Sequence, residues 1–98
     1  MVQHLASDSE GYFVLYSKPG CHLCEGLAEK LEQIAEVASK LEIRDITTRS
    51  DWQARYSLEI PVLCWLQNDR EHPLPRLSPR ASIAAVRSVV MPYVRPDR

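Results

Sequence analysis

The chain has 98 residues, the length of one small domain with one modest hydrophobic core. Its 12 Lys and Arg residues nearly balance its 13 Asp and Glu residues, so the net charge of −1 gives no electrostatic case for nucleic-acid binding. No apolar stretch approaches the length of a transmembrane helix, and the N-terminus lacks the charged and apolar regions of a signal peptide. We therefore expect a cytoplasmic protein that binds neither nucleic acid nor a membrane, in a compartment where stable structural disulfides are rare.

The first two predicted elements are a strand and a long helix. Aromatic and β-branched side chains at residues 12–16 run up to a Pro-Gly pair, which is typical of a buried strand. Apolar residues then recur at three- and four-residue steps from Leu23 to Ala38 and predict an amphipathic helix of about four turns. Because glycine weakens a helix interior, we assign Gly26 to a close approach of this helix to the sheet.

A second strand and a short helix follow. Residues 41–46 alternate between apolar and polar side chains and predict a strand. Ser50 is followed three residues later by Gln53, a pattern typical of helix starts, so we expect a short helix that ends near Ser57.

The third and fourth predicted strands are joined by a turn. Residues 61–66 predict a strand that opens with proline, and residues 67–69 have the composition of a turn. A fourth strand over residues 71–77 contains Pro73 and Pro75, whose missing N–H groups would lie on the same side of the strand. We therefore expect this strand at an outer edge of the sheet.

The last predicted element is a helix that begins at Ser78-Pro79, since serine is a good N-cap and proline fits the first helical position. We expect residues 1–10 to be a flexible lead-in, residues 11–91 to form the domain, and residues 92–98 to be a C-terminal tail.

The predicted order is β-α-β-α-β-β-α. A right-handed crossover makes the first two strands parallel, and the later hairpin and helix complete the layer. The fold class is therefore α/β, with a four-stranded mixed sheet that has helices on both faces.

Two cysteines lie where the first strand meets the first helix. Cys21 is at the junction and Cys24 is one turn inside the helix, which places the sulfurs within disulfide reach. The helix N-terminus stabilises an anion, and Lys18 and His22 can add positive charge, so the thiol of Cys21 should ionise readily. We expect Cys21 to attack a substrate disulfide and Cys24 to resolve the mixed disulfide.

The remaining Cys and His residues give no clear metal site. Zinc needs four ligands and the Cys-x-x-Cys pair supplies two, while no second such pair or pair of histidines is present. Cys64 lies in the middle of the third strand and is expected to be a buried free thiol. We assign no metal-ligating residues.

The motif YSKPGCHLC at residues 16–24, with Ile60-Pro61 opening a later strand, resembles glutaredoxin-like proteins of the thioredoxin-fold superfamily. The likeness covers roughly residues 11–90 and is greatest to small bacterial glutaredoxin-like proteins. It implies a thioredoxin-like fold and a dithiol–disulfide oxidoreductase with a redox-active Cys-x-x-Cys center.

The resemblance also implies the roles of further residues. Pro61 would follow a cis peptide bond, the backbone of Ile60 would pair with a bound peptide or with glutathione, and Lys18 would meet a glutathione carboxylate. Glutathione is then a candidate co-substrate of a monomer without a bound cofactor, whose partners are protein or small-molecule disulfides. The predicted substrate-binding residues are Lys18, His22, Ile60 and Pro61.

The chain departs from the glutaredoxin pattern in two places. His22-Leu23 stand where glutaredoxins usually have Pro-Tyr, and residues 76–80, RLSPR, stand where a Gly-Gly pair and an Asp grip the other end of glutathione. We therefore expect weak or altered glutathione binding. The alternative function is a thioredoxin-fold binding module that uses the Cys-x-x-Cys pair for zinc, for an iron–sulfur cluster shared between subunits, or for docking a partner.

Overall fold

The computed structural model describes residues 11–94, in which four strands form one mixed sheet. The strands are β1 (Tyr12–Ser17), β2 (Leu41–Asp45), β3 (Val62–Gln67) and β4 (Arg70–Pro73). Their order across the sheet is β2-β1-β3-β4, and β1 is parallel to β2 and antiparallel to β3. The predicted α/β class with a mixed four-stranded sheet is confirmed.

The helices among these residues are α1 (His22–Glu32), α2 (Ala35–Ala38), α3 (Ser50–Tyr56) and α4 (Ile83–Val94), and a 3-10 turn spans Ile46–Thr48. The prediction of one helix as far as Ala38 is wrong, because the chain becomes extended at Ile34 (φ −98°, ψ 105°) and α2 starts anew. Ile34 is buried in the core. Its side chain therefore remains in the apolar core although the helix is interrupted at this residue. No helix in residues 11–94 is both long and apolar enough to cross a membrane.

Both faces of the sheet are covered, which explains why residues 13–16 at the centre of β1 are all buried. Phe13 and Leu15 pack with α1, α2 and α4 on one face. Val14 and Tyr16 pack with the 3-10 turn, α3 and Cys64 on the other. Because successive strand residues point to opposite faces, a strand between two layers of helices must be apolar at every position.

The hairpin from β3 to β4 turns at Asn68 and Asp69, with φ of 54° and 64°. Two consecutive left-handed residues are the signature of a type I′ hairpin turn, which confirms the predicted turn. β4 ends at Pro73, four residues earlier than predicted, although Leu74 N–H still donates to the Leu63 carbonyl at 2.9 Å. The prolines on either side of Leu74 supply no N–H, so regular pairing stops there.

The final helix begins later than the sequence predicts. α4 starts at Ile83, and the Ser82 hydroxyl oxygen accepts the Ala85 N–H at 3.0 Å, as an N-cap does. Ser78 instead accepts a backbone N–H two residues later within a turn, so Pro79 does not open the helix.

The predicted tail also needs correction. α4 continues through Pro92 to Val94, three residues into the segment that was expected to follow the domain. The predicted lead-in at residues 1–10 and the end of the predicted tail at residues 95–98 lie outside the described residues.

Candidate active site

A tight turn places the first cysteine at the start of α1. Cys21 N–H donates to the Lys18 carbonyl at 3.2 Å, and Gly20 has a φ of 83°. Proline at the second position and a glycine with positive φ at the third are the pattern of a type II turn. Pro19 and Gly20 therefore set the direction in which the chain enters the helix.

The two cysteines differ in exposure and role within the helix end. Cys21 is the N-cap residue and is partly exposed, and its Sγ accepts the Cys24 N–H at 3.2 Å. Cys24 is only 2% exposed. The pair is joined in a disulfide with a Cα–Cα distance of 5.3 Å. After reduction, the same N–H and the helix dipole would stabilise a thiolate on Cys21.

The charges around this helix end are more balanced than the sequence suggests. The side chain of His22 is 93% exposed, and its Nδ1 lies 3.4 Å from the Glu25 carboxylate. A positive charge on His22 is thus partly offset by Glu25 in the same helical turn. Lys18 is exposed in the turn before the helix.

The backbone before β3 is hydrogen-bonded to the end of α3. The Ile60–Pro61 peptide bond is cis. Ile60 N–H donates to the Tyr56 carbonyl at 3.1 Å, so this amide is held inside the protein. No group within residues 11–94 donates to the Ile60 carbonyl, which leaves the carbonyl as the part of Ile60 that can meet a ligand.

A cleft of about 260 Å³ runs along α1, and we call it the α1 cleft. It brings together two predicted site residues, His22 and Pro61, but Lys18 does not line it. One wall is the face of α1 made by His22, Leu23, Gly26, Leu27 and Lys30. The opposite wall is the segment 73–79, and Glu59, Pro61, Val62, Leu63 and Val86 complete the lining.

Two residues of α1 were assigned to the wrong surroundings. Leu23 is 54% exposed and lines the cleft instead of joining the core. A Cβ atom built on Gly26 would have no atom within 4 Å, so the predicted close approach to the sheet is wrong and Gly26 faces the cleft. The four-residue spacing of His22, Gly26 and Lys30 was the available signal, but the same spacing is typical of a core-facing stripe.

Two cationic side chains hold the wall of the α1 cleft that is formed by residues 73–79. Lys30 Nζ donates to the carbonyls of Pro79 at 3.2 Å and Ala81 at 2.6 Å. Arg76 Nη1 donates to the Glu59 carbonyl at 2.8 Å. The segment that replaces the Gly-Gly and Asp elements is therefore held against α1 and against the loop before Pro61.

A polar network on the opposite face of the sheet was not predicted. The Glu71 carboxylate accepts hydrogen bonds from the hydroxyls of Tyr16 and Tyr56, the latter at 2.9 Å. Arg44 donates to the Tyr16 hydroxyl at 3.1 Å and lies 3.8 Å from Glu71. Burial, assisted by Glu71, raises the pKa of Tyr16 to about 12. We call these four residues the Glu71 network, and they come from four separate elements.

The third cysteine lies in this second layer, away from the disulfide. Cys64 is fully buried, as predicted, and burial raises the pKa of its thiol to about 11. Within residues 11–94, no three His, Cys, Asp or Glu side chains are grouped closely enough to hold a metal ion. His4 lies outside those residues.

Comparisons with known proteins agree with this architecture. The family model described as Glutaredoxin-like domain (DUF836) matches residues 13–90. The solution structure of the first thioredoxin domain of mouse protein disulfide-isomerase A4 is similar, with a TM-score of 0.64 and 16% sequence identity over 98% of this chain and 71% of that chain. At this identity the likeness shows a shared thioredoxin-like fold, and a search of curated proteins found no significant match. The chain belongs to the Glutaredoxin-like domain (DUF836) family.

Proposed function

We propose that the protein is a dithiol–disulfide oxidoreductase in which Cys21 is the nucleophile and Cys24 is the resolving thiol. The arrangement of the two sulfurs carries this proposal. Cys21 is partly exposed at the helix N-terminus, where its sulfur accepts an N–H, and Cys24 lies buried behind it within disulfide distance. An exposed activated sulfur suits attack on a substrate, and a buried partner suits intramolecular release.

The proposed reaction starts from the reduced protein. The Cys21 thiolate attacks one sulfur of a substrate disulfide, forms a mixed disulfide, and releases the other sulfur as a thiolate that takes up a proton. The Cys24 thiolate then attacks the Cys21 sulfur, forms the Cys21–Cys24 disulfide, and releases the second substrate thiol. Two electrons pass to the substrate, and an external thiol reductant, for which glutathione is a candidate, returns the protein to its dithiol form.

The remaining predicted residues have proposed roles in holding the substrate. We infer that the Ile60 carbonyl accepts a hydrogen bond from a bound peptide or from glutathione, which is supported by the lack of a donor to it within residues 11–94, and that Pro61 and His22 contact the same substrate. Lys18 would meet a carboxylate on the exposed side of the turn. We propose that the protein works as a cytoplasmic monomer on protein or small-molecule disulfides, without a bound cofactor.

Trapping the mixed disulfide tests the proposal. The Cys24→Ser variant keeps the attacking sulfur and lacks the resolving one, so it should accumulate adducts when it is expressed in cells. Non-reducing electrophoresis and mass spectrometry should show species that disappear on reduction, with Cys21 as the linked residue.

Two control variants complete the test. Cys21→Ser should form no adducts, and Cys64→Ala should behave like the parent because Cys64 is buried away from the site. If Cys24→Ser yields no adduct with cell proteins, glutathione or model disulfides, the oxidoreductase proposal is wrong. Metal bound by the parent and lost from either cysteine variant would instead support the binding-module alternative.

A further inference from the structure

The α1 cleft is built mainly from aliphatic side chains and prolines next to the disulfide. Its apolar lining residues are Leu23, Leu27, Pro61, Val62, Leu63, Pro73, Leu74, Pro75, Leu77, Pro79 and Val86. The cleft begins at His22, which follows Cys21 directly. The His22 end of the cleft is therefore the end that lies nearest to Cys21 along the chain.

The size of the cleft suits a side chain. Pockets that enclose whole small-molecule ligands have volumes of about 300–1,000 Å³. The α1 cleft, at about 260 Å³, is smaller than that range and fits part of a larger substrate. Burial of an aliphatic side chain in such a lining is favourable because it removes apolar surface from water.

A positive charge, that of Lys30, lies at the end of the cleft away from the cysteines. Lys30 and Arg76 are positive, and Glu59 is the one carboxylate in the lining. Two of the three Lys30 N–H donors are used on the carbonyls of Pro79 and Ala81, so one donor remains for a ligand. An acidic group would complement this positive end.

The geometry of α1 sets the spacing of these two features. His22 and Lys30 are separated by about 12 Å along the helix axis, at about 1.5 Å per residue. An extended peptide covers that distance in about four residues at about 3.3 Å each. Gly26 lies halfway between them, where the absent side chain leaves the cleft open.

We propose that the α1 cleft binds an extended segment of a protein substrate that has an aliphatic side chain two residues from its reactive cysteine and an acidic residue four residues from it. This inference rests on the proposed oxidoreductase function and assigns the substrate class. Glutathione has no aliphatic side chain and so lacks the group that this proposal places in the cleft.

Binding to the oxidised protein tests the inference without any redox step. The probe is the peptide Ser-Ala-Leu-Ala-Glu with blocked ends, in which serine replaces the reactive cysteine. The reversed sequence, Glu-Ala-Leu-Ala-Ser, is tested as well. NMR titration should show shifts at Gly26 and Leu77. Replacement of the peptide's leucine by serine should weaken binding about tenfold or more, and replacement of its glutamate by lysine should weaken it about two- to fivefold.

A filled-cleft variant provides the matched test on the protein. Gly26→Leu places a side chain in open space on a helix that accepts leucine well, so the unfolding midpoint in urea should be at least that of the parent. This variant should no longer bind the leucine peptide more tightly than the peptide in which serine replaces leucine. Glu29→Leu adds the same side chain to the same helix outside the cleft lining and should bind as the parent does.

The outcomes separate this inference from the proposed function. Equal affinities for the parent peptide and its two substituted forms, or unchanged binding by a folded Gly26→Leu variant, would overturn the inference even if Cys24→Ser traps adducts. Selective binding by the oxidised protein, lost in Gly26→Leu, would support the peptide site even if the trapping experiment fails.

Discussion

Gly20 and Gly26 lie on either side of the cysteine pair and have opposite structural roles. Gly20 has a φ of 83°, which an L side chain adopts at a cost of about 1–2 kcal/mol. Gly26 is in the interior of α1 with no atom near the position of a Cβ, so alanine there should improve helix stability by about 1 kcal/mol.

These two glycines give opposite predictions for the same substitution. Gly20→Ala should lower the free energy of unfolding by about 1 kcal/mol or more, and Gly26→Ala should raise it by about 1 kcal/mol. Urea unfolding followed by circular dichroism measures both changes. A loss of stability in Gly26→Ala would mean that the cleft is closed at this point.

At the residue scale, the sequence predicts the cysteine site well and its surroundings poorly. The turn from Lys18 to Cys21 and the N-cap position of Cys21 depend on neighbouring residues, so a short motif contains the necessary information. The cleft depends on contacts such as that of Lys30 with Pro79, which are 49 residues apart. Local periodicity cannot show whether Leu23 faces the core or a cleft.

At the scale of the elements, the Glu71 network joins three strands and a helix through side chains. Tyr16 is in β1, Arg44 in β2, Tyr56 in α3 and Glu71 in β4, and Tyr16 and Tyr56 also stack with their ring centroids 4.1 Å apart. Ile60 N–H bonds to the Tyr56 carbonyl, so the same helix end supports the backbone before Pro61. The network is thus connected through α3 to the backbone before Pro61.

Glu71→Ala should destabilise the protein by about 2 kcal/mol. The substitution leaves two buried tyrosine hydroxyls and the Arg44 guanidinium without the carboxylate, and hydrogen bonds to charged groups contribute about 1.5–3 kcal/mol. His72→Ala, at the adjacent exposed position, should change stability by less than about 0.5 kcal/mol. Thermal and urea unfolding of both variants measure the difference, and equal stabilities would show that the network is not stabilising.

The boundaries of the elements show why local signals are incomplete. Ser78 and Ser82 are both reasonable N-caps, and the segment between them is held by Lys30, which favours the later start at Ile83. The end of β4 was misplaced for a similar reason, since the alternating prolines are compatible with extended chain but supply no ladder N–H groups. In both cases a distant contact selected between two locally acceptable structures.

At the scale of the whole molecule, stability should fall at alkaline pH. Burial raises the pKa of Cys64 from about 9 to about 11 and that of Tyr16 from about 10 to about 12. Both groups stay neutral more readily in the folded state than in the unfolded state. Their contribution to the free energy of unfolding is therefore complete below the ordinary pKa and is lost as the pH rises through the folded-state pKa. Each pKa unit of difference corresponds to about 1.4 kcal/mol.

The free energy of unfolding should therefore decrease steadily between about pH 9 and pH 12 in urea titrations. Cys64→Ala removes one of the groups whose pKa burial raises, so its stability should decline less than that of the parent between pH 9 and pH 11. A profile that is flat over this range in the parent would contradict the burial-based explanation.

The order of strands and helices was predictable because each strand is marked by its own composition and the connections are short. The parallel pairing of β1 with β2 followed from the crossover rule, and the pairing of β3 with β4 followed from the turn at Asn68 and Asp69, whereas the antiparallel pairing of β1 with β3 was not predicted. The break at Ile34 was not predictable from local sequence, because the apolar period continues across it while the helical backbone is interrupted.

The central position of β1 has a consequence for synthesis of the chain on the ribosome. Its antiparallel neighbour β3 begins only at Val62, so one edge of β1 cannot be paired until that segment has been made. At about 5–20 residues per second, the segment from Ser17 to Val62 takes roughly 2–9 seconds to synthesise. Until Val62 has been made, the four residues at the centre of β1, all buried in the final fold, cannot complete their packing.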